Sequence, residues 1–148
     1  MMWLPDTNFW IEILKRPDGP AADRFRRCQS GDLRTSVIVW AELLHGARKY
    51  GLPEKRRQII HQLLRPFECL RVDLTVAERY AQIRDDLETN GQVIGPFDLL
   101  LAATALANDL TLVTHNTGEF KRVADLRVED WSAAPPMSES PTTTDLLT

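Results

Sequence analysis

Three acidic residues stand alone in apolar surroundings. Asp6 is the only charged residue between Met1 and Ile11, Glu42 the only one between Thr35 and Ala47, and Asp98 the only one between Thr89 and Asn108. A carboxylate embedded in an apolar segment is costly unless it is protonated, paired or bound to a cation. That the pattern recurs three times in one chain asks for a shared explanation. Several carboxylates without paired Cys or His residues suit a hard divalent cation such as Mg2+ or Mn2+, which prefers oxygen ligands and keeps several waters. Such a site can activate a water and offset the charge that develops on a phosphoryl group, so metal-assisted phosphodiester hydrolysis is the working hypothesis. Thr114-His115-Asn116 supply a fourth polar element.

Each residue also has a plainer use. Asp6 could cap the helix that follows it, and Asp98 could complement a helix dipole from the first turn. Glu42 could face solvent or pair with Arg48 or another base, and Asn116 alone is most often a turn residue. Taken together, the three carboxylates favour one acidic site. His45, His61 and His115 lack an i,i+4 partner or metal spacing, and His115 reads as a loop or surface residue. Trp3, Trp10 and Trp40 read as core rather than as a base-stacking platform. There is no phosphate-cradling G-x-x-x-x-G-K-[ST] loop, no G-x-S-x-G elbow and no Cys/His nucleophile arrangement.

The elements that must position these residues follow from pattern and punctuation. Met1–Pro5 is a short apolar run, and Pro5 cannot donate to a sheet ladder, which bears on how centrally it is paired. Phe9, Trp10, Ile13 and Leu14 have helical spacing, and Pro20 opens a second helix to about Cys28. A strand over 33–36 precedes a helix to about Tyr50, and Pro53 opens another to about Leu64. Residues 67–72 read as a strand. Thr75 with Glu78 forms a capping-box signature for a helix to about Thr89. Gly95-Pro96 opens a helix to Asn108 that is apolar on every side, hence central. A strand over 111–114, a short helix over 118–123 and a strand over 127–130 complete the pattern. Alternating short strands and helices predict an α/β domain with a largely parallel sheet. In such a sheet the carboxyl ends of the strands form the ligand crevice, which is where Asp6 and Thr114-Asn116 fall.

Composition sets the bounds. At 148 residues one domain is the default, and 43% hydrophobic with 26% charged residues is ordinary for a globular protein. No stretch is long enough to span a bilayer and the N-terminus lacks a signal-peptide pattern, so a soluble, cytoplasmic protein away from membranes is expected. Cys28 and Cys69 lack C-x-x-C spacing, and read as buried or half-buried thiols in a reducing compartment. The net charge of −3 does not advertise a nucleic-acid binder. Basic residues cluster at Arg24, Arg26 and Arg27, at Arg48 and Lys49, and at Lys55, Arg56 and Arg57, and each cluster alone reads as a solvated face. Residues 132–148 turn to Ala, Pro, Ser and Thr and read as a disordered tail behind a domain over 1–131.

Asp6-Thr7-Asn8 after an apolar strand, Ala41-Glu42-Leu43 with Gly46, Gly95-Pro96-Phe97-Asp98, and Thr114-His115-Asn116-Thr117-Gly118-Glu119-Phe120 occur in that order. The ordered set resembles the PIN-domain toxins of the VapC type, over about residues 2–131. The resemblance implies a three-layer PIN-like α/β fold, with a short, mostly parallel sheet flanked by helices. It implies an endoribonuclease using Mg2+, with Mn2+ as a substitute, that is the toxin of a type II toxin–antitoxin pair. Asp6, Glu42 and Asp98 match the three acidic positions and are the expected metal ligands. Asn116 matches a fourth position that is acidic in some members, and Asn8 and Thr114 match supporting positions. A homodimer, an RNA substrate and a cognate antitoxin are the implied partners. Two rivals stand beside this reading: a catalytically inert PIN-like partner or RNA-binding module, and a metal-dependent DNA nuclease.

Overall fold

The computed structural model describes residues 1–132, and Ser132 hydrogen-bonds to Asp130 at the end of the described chain. The rest of the segment expected to be disordered, 133–148, lies outside the described residues. Among the described residues, five short strands are interleaved with helices: β1 (Trp3–Pro5), β2 (Arg34–Ser36), β3 (Glu68–Leu70), β4 (Thr111–Val113) and β5 (Val128–Glu129). The helices are α1 (Thr7–Lys15), α2 (Pro20–Arg26), α3 (Val37–Lys49), α4 (Pro53–Leu64), α5 (Leu74–Thr89), α6 (Pro96–Ala107) and the short α7 (Thr117–Phe120).

β1, β4 and β5 form one parallel sheet in the order β1-β4-β5, and β2 pairs with β3, also parallel. A single parallel bridge, Trp3–Leu33, joins the two. Read through that bridge, the order is β3-β2-β1-β4-β5. The chain moves outward from β1 to β3, then crosses back to β4 on the other side. Around the strands, α1 packs on α2 and α3, α3 on α4, and α5 on α6. The order reverses between β1 and β4, and a reversal opens a crevice at the carboxyl ends of the two strands.

Pro5 explains why the join to β2 is a single bridge. Thr111 N–H donates to Met2 O and Asp6 N–H donates to Val113 O, so even-numbered positions of β1 bond towards β4. The Pro5 nitrogen therefore faces β2, where it has no proton to give. On the β4 side the ladder runs on unbroken into Asp6.

The core gathers Leu4, Trp10, Leu33, Leu99, Leu101 and Leu112, all nearly or wholly buried. α6 contributes Leu99, Leu101, Ala102, Ala103, Thr104 and Ala105 to the interior, as its all-round apolar sequence requires. Two expectations need correction. α5 is capped by Asp73, whose carboxylate accepts from Val76 N–H at 3.0 Å, not by Thr75; an acid two residues earlier takes the capping role and starts the helix sooner. Cys69 is exposed rather than buried, because β3 is an edge strand with little cover, while Cys28 is half-buried as expected. Among the described residues, no helix is long and apolar enough to cross a membrane.

Candidate active site

The crevice between β1 and β4 is built from the ends of those two strands, the first turn of α6 and the middle of α3. Asp6 is the first residue beyond β1 and the N-cap of α1. It is 6% exposed, and both carboxylate oxygens are held: Phe9 N–H donates to Oδ1 at 2.9 Å, and the buried Thr114 hydroxyl donates to Oδ2 at 2.6 Å. The capping role and the site role therefore coexist in one side chain. Thr114 is the first residue beyond β4, so the two neighbouring strands are tied together by a hydrogen bond between the side chains that follow them. Its hydroxyl oxygen also accepts from Asn116 N–H at 3.0 Å, which orients the following turn.

Glu42 sits in the middle of α3, half-buried, where neither a cap nor a dipole accounts for it. Thr7 Oγ1 donates to its Oε1 at 2.6 Å, which links α1 to α3. Asp98 occupies the first turn of α6, half-buried, and among the described residues no hydrogen bond reaches its carboxylate. Asn116 is exposed and donates its amide to Glu119 of α7. Asn8 is exposed on α1; the hydroxyl that reaches a carboxylate from this segment belongs to Thr7.

Electrostatics bring the acids together. Burial first, then the negative charges of Glu119, Glu42 and Asp6, push the Asp98 carboxyl up to about 6. Asp6 is also raised: burial dominates, the Thr114 and Phe9 hydrogen bonds pull it down, and Glu42 and Asp130 push it up again. Glu119 is thus a fourth carboxylate of the same crevice, supplied by α7. Sequence isolation could not find it, because Lys121 and Arg122 are close neighbours along the chain. The signal that could have found it is its position three residues past Asn116 in a short helix at the end of β4, which turns both side chains the same way.

The donor chemistry fits a hard divalent cation. All four charged groups are carboxylates, Asp98 has no hydrogen bond among the described residues, and their mutual repulsion raises the proton affinity of Asp98 and Asp6. Among the described residues, no three His, Cys, Asp or Glu groups are already drawn in around one point.

The basic clusters are partly spent within the fold. Arg24 pairs with Glu129 at 2.9 Å, and Arg26 and Arg27 both pair with Asp23. Of the tryptophans, Trp10 is wholly buried, and Trp3 and Trp40 are partly buried against the core. His115 is exposed, as expected.

The PIN domain family model matches residues 3–126. The tRNA(fMet)-specific endonuclease VapC of Shigella flexneri is 36% identical over 132 residues, covering 89% of this chain and 99% of that protein. Ribonuclease VapC2 of Rickettsia felis is 33% identical over 132 residues, covering 88% of this chain and 98% of that protein. Among solved structures, a chain of DNA-bound VapBC from Salmonella typhimurium superposes with a TM-score of 0.83 at 31% identity, covering 88% of this chain and 98% of that one. A chain of VapBC2 from Rickettsia felis, bound to a DNA fragment from their promoter, gives 0.81 at 29% identity, covering 88% and 99%.

Proposed function

The chain belongs to the PIN-domain family, among its VapC ribonucleases, and from that premise we propose that it is the toxin of a toxin–antitoxin pair, an endoribonuclease that uses Mg2+ or, in its place, Mn2+. The observation that carries this reading is the set of carboxylates from the ends of β1 and β4 and from α3 and α6, whose charges act on one another in one crevice. Asp6, Glu42 and Asp98 would hold the cation, with Glu119 as a fourth acidic group. When bound, the cation supplies a water activated near neutral pH and a positive charge beside the scissile phosphate.

The chain's own residues do the rest. Thr114 and Phe9 N–H fix the Asp6 carboxylate at both oxygens, so it is preorganised. Thr7 leaves Glu42 one oxygen to serve as ligand or as base for the attacking water. Asn116, tied to Thr114 through its backbone, holds Glu119 against the crevice.

An antitoxin partner is supported by a groove of about 590 Å³ between α1, α3 and α4. Ile11, Leu14, Leu43 and Ile59 make it apolar, Lys15 and Arg56 line it as cations, and Glu42 stands among its walls. An amphipathic antitoxin segment with apolar anchors and acidic flanks would fill it and reach the catalytic acids. The homodimer implied by the family is part of the same reading and is checked by light scattering of the purified protein.

The test is cleavage of a mixed RNA pool, with Mg2+ or Mn2+, by wild type and by Asp6→Asn. Cleavage that disappears in the variant and in chelator is the expected result. A folded wild type that cuts DNA but not RNA would favour the DNA nuclease instead, and one that binds metal but cuts neither would shift weight to the inert module or to a target missing from the pool.

A further inference from the structure

Beside the acidic crevice lies a second cavity, of about 250 Å³, between α1 and the residues that follow β5. Its floor is apolar: Phe9 and Trp131 line it and are 6% and 2% exposed. One wall is the polar stripe of α1 and its C-cap, where Asn8, Glu12 and Arg16 recur every four residues and so share one face. Arg16 Nη1 donates to Glu12 Oε1 at 2.8 Å, with the Arg16 side chain 72% exposed and that of Glu12 27%. The opposite wall is a hydrogen-bonded cluster. The His115 Nδ1 lies 3.2 Å from Asp130 Oδ2 and 2.9 Å from Ser132 Oγ, and Ser132 Oγ donates to Asp130 Oδ1 at 2.6 Å.

The cavity adjoins the crevice along the chain. Asn8 is two residues beyond Asp6, and His115 follows the threonine that holds Asp6. The Asp130 charge acts on the Asp6 carboxyl. A ligand seated here would lie beside the segments that carry Asp6 and Thr114.

We infer that this cavity is a subsite for one unpaired nucleobase of the RNA substrate, and that Glu12 reads its edge. The inference rests on the ribonuclease reading. An apolar floor with a few converging donors and acceptors is the lining of a small-molecule site. A base splayed out of a single strand has an apolar face for the floor and polar edges for the walls. A phosphate is the poorer fit, because Glu12 and Asp130 line the cavity and its basic groups, Arg16 and His115, are already engaged with them. A carboxylate only accepts hydrogen bonds, so Glu12 selects an edge that donates. Guanine, which sets an imino N–H beside an amino group, meets that demand best.

The test maps the cut ends of a random-sequence RNA pool for wild type and Glu12→Gln. Wild type enriches guanine at one position flanking the cut, and Glu12→Gln shifts the preference at that position alone. On an oligonucleotide of the preferred sequence, kcat/KM falls about tenfold in Glu12→Gln, in line with the loss of one base-reading contact. When that nucleotide is abasic, the two enzymes cut equally slowly. Identical base distributions in both enzymes, or an abasic penalty equal in both, overturn the subsite while cleavage itself stands. A folded wild type that cuts no RNA overturns the ribonuclease reading and the subsite with it.

Discussion

Asp98 has a carboxyl raised from 3.8 to about 6 by burial and by three neighbouring acids. Between those values the folded protein holds a proton that the unfolded chain releases. This contribution to stability is therefore full below about pH 4 and is lost as pH rises through about 6. Without metal, Asp98→Asn is expected to unfold at a higher temperature than wild type at pH 7, with the gap closing as pH falls to 4. Thermal unfolding of both proteins across that range checks it. Thr114 makes a second case. Thr114→Val removes the hydroxyl on the buried Asp6 carboxylate and should cost about 1–3 kcal/mol in urea unfolding at pH 7, with Thr114→Ser restoring most of it. Residues of this kind were legible as lone charges in apolar runs, which is how Asp6, Glu42 and Asp98 stood out. Glu119 and Thr7 were not, because a carboxylate among other charges and a hydroxyl beside an acid look ordinary until folding places them.

Elements were legible where punctuation is local. Pro20, Pro53 and Pro96 each open a helix, and Ser36 caps α3 through Val39 N–H at 3.2 Å. α5 shows the limit of such signals, since Asp73 and Thr75 both precede the helix and only geometry decides between them. Asp73→Ala should destabilise the protein by about 1 kcal/mol, and Thr75→Ala by much less, when their urea midpoints are compared. At the heart of the domain, Leu101 on α6 is 2% exposed. Leu101→Ala should cost about 2–5 kcal/mol through lost burial and the cavity left behind, read by the same unfolding. The strand ends were less legible than the helices. β3 covers only Glu68–Leu70, each residue paired with β2, where the apolar run suggested 67–72.

At the scale of the whole molecule, alternation of strands and helices was enough to expect a parallel α/β sheet, but not its order. Strand order depends on pairings between distant residues, such as Leu4 with Leu112, that no local pattern encodes. The reversal between β1 and β4 is what turns three separate acids into one crevice. It also sets the nucleobase cavity and the apolar groove on either side of α1, features that several elements share and no one segment announces. If the crevice holds a cation, ligand binding to the folded state alone must stabilise it. Mg2+ or Mn2+ should then raise the unfolding temperature of wild type at pH 7 and raise that of Asp98→Asn less. The most direct measurement is anomalous diffraction from crystals of the wild-type protein soaked in Mn2+. The expected result is a manganese peak among Asp6, Glu42, Asp98 and Glu119. A protein that cuts RNA but whose crystals show no peak there, or a peak bound by other residues, would contradict the account.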